Sequence, residues 1–162
     1  MQRHPEWHVV NRGVSGQRTD EILRRFGADV VAAKPDVVVV LAGVNDLYQG
    51  KSVWWVTWHL RRIYARARRA HIRTVACTIL PYNGASEEVR GRMQDVNEWI
   101  MDYTREHQDV IMCDTARSVE DPTHPGQLSS TDDGLHPDVE GYRRLGSALI
   151  VMLEYAFNGM RQ

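Results

Sequence analysis

Apolar runs and their period set the first frame. From Asp36 to Asp46 the chain reads DVVVVLAGVND, an unbroken β-branched run that changes abruptly to Gly43, Asn45 and Asp46. Such a run predicts a strand buried on both faces whose carboxyl end opens into a polar turn. Ile72 to Leu80 repeats the pattern and is closed by Pro81, Tyr82, Asn83 and Gly84, while Trp7 to Asn11 and Val110 to Cys113 give shorter versions. Between these runs the period lengthens to that of a helix. Ile22, Leu23, Phe26, Val30 and Val31 share one face over Asp20 to Ala33, and Val53, Val56, Leu60, Ile63 and Ala67 share one over Ser52 to Ala70. Ser86 and Glu88 open a third helix through Val89, Met93, Val96, Ile100 and Tyr103. The last, from Asp138 to about Asn158, is amphipathic through Tyr142, Leu145, Leu149, Met152, Leu153 and Ala156. Glu120 to Asp132 holds Pro122, Pro125, Gly126 and a Ser-Ser-Thr run without periodicity, and reads as loop. Strand and helix therefore alternate, which predicts an α/β domain with a parallel sheet.

Composition narrows this picture. A chain of 162 residues suits one domain with a real core, and a net charge of -1 gives no overall attraction to nucleic acid. Arg61, Arg62, Arg66, Arg68 and Arg69 crowd one helix, but they spread around its polar side and read as a solvated face. No apolar run is long enough to span a bilayer. Cys77 and Cys113 fall in strand-like segments as small hydrophobes and make no metal-ligand pattern. The first ten residues, MQRHPEWHVV, carry no export signal, which points to the cytoplasm if Met1 is the true start.

Candidate chemistry sits where strands end. Gly43 permits close backbone approach, Asn45 offers two amide hydrogens and Asp46 a carboxylate; the alternative is that these residues form a turn and cap the next helix. Trp54 and Trp58 lie off the apolar stripe of their helix, placed to cover a substrate, to pack under a loop or to join a second chain. In Asp132-Asp133-Gly134-Leu135-His136-Pro137, Asp133 and His136 are three residues apart, so the carboxylate can reach one imidazole nitrogen and leave the other to act as a base. Capping the following helix is the competing role for both.

Three segments occur in a telling order. NRGVSGQRT, LAGVND and DGLHPDVEGY closely resemble the second, third and fifth blocks of the SGNH, or GDSL-type, hydrolases. The resemblance runs from Trp7 to the C-terminus and implies a flavodoxin-like three-layer sandwich with acyl-ester hydrolysis as its commonest activity. It implies that His136 is the general base, Asp133 its orienting partner, and Gly16 and Asn45 the oxyanion donors. It implies a small-molecule ester or acylated substrate, with no metal and no organic cofactor.

The family's first block, a Gly-Asp-Ser turn carrying the nucleophile, has no counterpart in these 162 residues. None of Ser15, Ser52, Ser86, Ser118, Ser129, Ser130 or Ser147 follows a Gly-Asp pair, and Ser15, beside Gly16, is the nearest replacement. Relative to the family the single domain, 1–162, therefore reads as N-terminally truncated and missing its first, central strand. If a preceding segment exists it could carry an export signal, and secretion would follow. Two arrangements are expected for the exposed edge: the Val9 strand pairs with the Val37 strand, or a second copy covers the edge as a homodimer with Trp54 and Trp58 as contacts. A non-catalytic ligand-binding or interaction protein is the alternative to an enzyme.

Overall fold

The computed structural model describes residues 4–159. Three strands, β1 (Val37–Val40), β2 (Arg73–Cys77) and β3 (Val110–Cys113), form a parallel sheet in that order, with Val37 opposite Arg73 and Thr74 opposite Val110. Side chains alternate across it. Val40 and Ala76 face a layer made by α1 (Thr19–Asp29), α3 (Val53–Arg69) and α4 (Glu87–Glu106), where Phe26, Leu60, Ile63, Val96 and Ile100 are buried. Val75, Cys77 and Cys113 face the opposite layer, made by α6 (Val139–Asn158) through Leu149, Met152, Leu153 and Ala156. The expected three-layer α/β architecture is therefore present.

Helix starts follow from side-chain oxygens that accept otherwise orphaned backbone N–H groups. Ser52 accepts from Trp55 N at 3.2 Å, Ser86 from Val89 N at 3.2 Å and Asp138 from Gly141 N at 2.9 Å. At its other end α6 meets Arg73, whose guanidinium donates to the carbonyls of Ala156 and Gly159. That contact fixes α6 antiparallel to the strands, so its N-terminus lies at their carboxyl ends.

Three expectations fail. The Trp7–Asn11 run forms no strand and does not pair with β1. Its entry is pinned by Trp7 against Phe157, with ring centroids 5.1 Å apart, and the chain beyond it is pinned by Thr19 to Asp46. Val9 and Val10, between those anchors, are exposed. An apolar run is only a strand where a ladder partner is in reach. The Asp20–Ala33 helix stops at Asp29, and a single 3-10 turn, Val31–Ala33, carries the chain to Lys34 at φ 49°. The Glu120–Asp132 loop contains a hairpin, β4 (Glu120–Asp121) with β5 (His124–Leu128), and the short helices α2 (Val44–Tyr48) and α5 (Thr115–Val119) were not separately legible.

Candidate active site at the carboxyl ends of the strands

β1 runs directly into the first part of the site. Gly43 holds φ 122° and is buried, and a Cβ there would lie 2.8 Å from Ile79 Cδ1 and 2.9 Å from Val56 Cγ1. Only glycine lets the chain turn this close to the core. The turn starts α2, which carries Asn45 and Asp46. Asn45 Nδ2 donates to Gln17 O at 3.0 Å, leaving its second amide hydrogen for another acceptor. Asp46 is fully buried; its Oδ2 accepts from Thr19 N at 2.9 Å and its Oδ1 from Thr19 Oγ1 at 2.6 Å. Burial pushes this carboxyl above its ordinary value, and the two bonds from Thr19 oppose the rise. Asp46 thus anchors the Ser15-Gly16 turn to α2. Gly16 takes φ 78° in that exposed turn, and Ser15 beside it is exposed as well.

The second part comes from the loop before α6. His136 Nδ1 lies 2.7 Å from Asp133 Oδ2, while Asp133 Oδ1 accepts the backbone N–H groups of Leu135 and His136, each at 2.8 Å. Gly134 at φ 74° allows the tight turn, and Thr131 Oγ1 accepts from Gly134 N at 2.9 Å. The imidazole beside Asp133 and these two backbone bonds hold the carboxyl well below the usual carboxylate range. His136 and Asp133 are both solvent-exposed, and an imidazole oriented through Nδ1 presents Nε2 outward.

One turn joins the two parts. Asn83, just after β2, donates its backbone N–H to Gly134 O at 2.7 Å and accepts Leu128 N on its side chain at 2.8 Å. Its neighbour Tyr82 meets Tyr48 of α2 edge-on, with centroids 6.1 Å apart. The loops after β1 and β2 and before α6 are therefore in mutual contact, as expected where ligands bind to an open α/β sheet. In the sequence Asn83 is a strand stop and Thr19 a cap for the helix that follows; nothing local to either residue announces a bond so distant along the chain. Trp54 and Trp58 lie on the outer side of α3, 68% and 38% exposed, with centroids 6.2 Å apart and Arg62 over the Trp58 ring. Arg61, Arg62, Arg66 and Arg69 line a shallow groove of about 730 Å³ between α1 and α3. Among the described residues no group of three or more His, Cys, Asp or Glu side chains could hold a metal ion, and no helix is long and apolar enough to cross a membrane.

A parallel sheet between helical layers, with polar loops gathered at the strands' carboxyl ends, is an architecture shared with known ester hydrolases. Residues 1–144 match the GDSL-like Lipase/Acylhydrolase family, and the chain belongs to that family. It is similar to an acetylxylan esterase from Geobacillus stearothermophilus, 23% identical over 88% of this chain and 70% of the relative. In structure it is similar to a GDSL-like lipase from Bacteroides thetaiotaomicron, with a TM-score of 0.84 at 23% identity over 91% of this chain and 76% of that one. An acetyl-xylooligosaccharide esterase from Geobacillus gives a TM-score of 0.75 at 20% identity, over 89% and 71%.

Proposed function

We propose that residues 1–162 act as one SGNH-hydrolase-like domain carrying the base and oxyanion side of an acyl-ester hydrolase. The observation that supports this most is the Asp133–His136 pair, in which one carboxylate oxygen meets Nδ1 while the other is fixed by two backbone N–H groups. In this reading His136 Nε2 takes the proton of an attacking hydroxyl, and the imidazolium so formed is stabilised by Asp133. The carbonyl oxygen gathers the negative charge and receives the Gly16 backbone N–H and the free Asn45 amide hydrogen. The proton on His136 passes to the leaving alcohol, and water then releases the acyl group by the same steps in reverse order. In this reading Trp54 and Trp58 are the exposed substrate-side residues, and buried Gly43 and Asp46 serve the substrate indirectly, Gly43 by shaping the turn after β1 and Asp46 through the Thr19 anchor. The substrate class is a small ester or acylated molecule, and the relative named as an acetylxylan esterase makes acetylated sugars the first choice to assay.

No serine of these 162 residues follows a Gly-Asp pair, and for this stretch taken alone the second reading is a ligand-binding or interaction protein that uses the cleft without the nucleophile. Treating the 162-residue protein with a fluorophosphonate, followed by peptide mass spectrometry, separates the two. A stoichiometric adduct on one serine, with Ser15 the first to inspect, that disappears on denaturation and in His136→Ala would support an active hydrolase. No adduct, together with retained binding of acetylated sugar, would replace the enzyme reading with the second one.

A further inference from the structure

The 17 residues of α3 include Arg61, Arg62, Arg66, Arg68 and Arg69 and neither Asp nor Glu. A solvated helix face normally interleaves the two signs, and the other long helices do so. Arg25 pairs with Asp29 at 2.6 Å on α1, Arg92 with Glu88 at 3.2 Å on α4 and Arg143 with Glu140 at 3.4 Å on α6. Arg68 reaches Asp109 at 3.7 Å, but among the described residues no carboxylate is paired with Arg61, Arg62, Arg66 or Arg69. Arg62 and Arg66, four apart, and Arg66 and Arg69, three apart, meet on one face and repel. The helix dipole offsets part of this for Arg66 and Arg69 in the last turn, and does nothing for Arg61 and Arg62.

Trp54, Trp58, Arg62 and Arg66 follow at intervals of four and so form one stripe, continued by Arg69. With Leu23 and Arg24 of α1, most of this stripe borders the groove between the two helices. Two of its cations are held in place. Arg66 donates to Leu23 O at 3.2 Å, and its guanidinium lies where a Cβ on Gly27 would come within 2.6 Å of Nη2. Arg62 sits 4.4 Å from the centroid of the Trp58 ring, a contact through its flat face that leaves its edge N–H groups for an acceptor. From Trp58 to Arg69 the stripe is about 16 Å long, so the cations form a line rather than converge on one point. Because α3 joins the carboxyl end of β1 to the amino end of β2, the tryptophans lie toward the candidate active site and Arg69 away from it.

We propose that this groove binds an anionic polysaccharide, its carboxylates on Arg62, Arg66 and Arg69 and a sugar ring against Trp54, which presents the polymer toward the carboxyl ends of the strands. A carboxylate matches the guanidinium fork, and the apolar face of a pyranose matches an indole that is 68% exposed. A strand of nucleic acid also offers anions, but a chain of net charge -1 gives it no attraction beyond the groove. The choice of a sugar polymer rests on the acyl-ester reading; the anion site itself does not.

Isothermal titration calorimetry at low salt tests it, with a short oligogalacturonide as the probe and a neutral xylo-oligosaccharide and a single-stranded oligothymidylate beside it. The oligogalacturonide is expected to bind the wild-type protein in preference to both others, and more weakly as sodium chloride is added. Arg62→Gln with Arg69→Gln should weaken it by about tenfold with circular dichroism unchanged. If that variant fails to fold, Arg24→Gln with Arg61→Gln, one from each wall, should show the same loss. Trp54→Ala should weaken it further. No binding at low salt, equal affinity in the arginine variants, equal affinity for the neutral sugar, or tighter binding of the oligothymidylate would each overturn the proposal. Binding is read as heat and the hydrolase reading as fluorophosphonate labelling, so the failure of either shows separately.

Discussion

Thr19→Val isolates one of the side-chain contacts that tie the chain after Gly16 to α2. Valine keeps the shape of threonine, so no cavity opens, and the Thr19 backbone bond to Asp46 Oδ2 is retained. What disappears is the 2.6 Å bond from the Thr19 hydroxyl to Asp46 Oδ1, at a site where both residues are fully buried. A hydrogen bond to a charged group is worth about 1.5–3 kcal/mol. With a urea slope of about 1–3 kcal/mol per molar, the unfolding midpoint should fall by roughly 1 M at pH 7. The pH dependence carries the sharper test. Burial already raises Asp46 above its unfolded value of about 3.9, so its ionisation lowers stability as pH climbs through the folded pKa. Losing the hydroxyl raises that pKa further. The damage is therefore full above the folded pKa, where Asp46 is charged, and shrinks as pH falls through it and the carboxyl is protonated. A loss under about 0.5 kcal/mol, the ordinary range of inert surface changes, or a loss that does not vary with pH, would refute the account of Asp46 as a buried, bond-dependent carboxylate.

Gly43→Ala should cost about 2–3 kcal/mol in thermal or urea unfolding, since φ 122° strains any L side chain and the new Cβ would press on buried Ile79 and Val56; a neutral effect would contradict the tight turn after β1. Asp133→Asn keeps an acceptor for the Leu135 and His136 N–H groups but presents an amide to Nδ1, so nitrogen NMR should find the other imidazole tautomer, and any ester turnover should fall by about 10⁴. An unchanged tautomer would remove Asp133 from the role of orienting partner. Because its carboxyl is held low by His136 and the backbone, Asp133 should stay ionised at pH 4, and no acid limb of a pH profile near that value should belong to it.

Much of the fold was legible because its signals are local. The valine run of β1 and the apolar stripes of α3, α4 and α6 state their partners' faces in their own spacing, and Ser52, Ser86 and Asp138 mark helix starts within a residue of where they occur. The Trp7–Asn11 run failed because strand character depends on a ladder partner, and exposed Val9 pairs with no strand among the described residues. The β4–β5 hairpin was hidden for the reverse reason. Pro125 and Gly126 discourage a strand, yet Glu120 Oε1 accepts Gly126 N at 2.6 Å and Asn83 accepts Leu128 N, bonds no local pattern encodes. In the site, Asp133 and His136 were adjacent enough in sequence to be read together. The bond from Asn45 to Gln17 and the seat of Asp46 under Thr19 span nearly thirty positions and required the fold.

The Asn83 contacts bear on how the His136 loop moves. That loop precedes α6, yet its Gly134 carbonyl is held by the amide that follows β2, and the same asparagine holds the strand leading into the loop. Its freedom is thus set both by the opening of that turn and by the contacts between Ser130 and Asp138 at the start of α6. Such openings occur on microsecond-to-second timescales and have their own free energy, smaller than that of global unfolding. Ligands of different bulk at this loop would then be admitted according to how often these contacts let go, with the sheet and its helices left undisturbed.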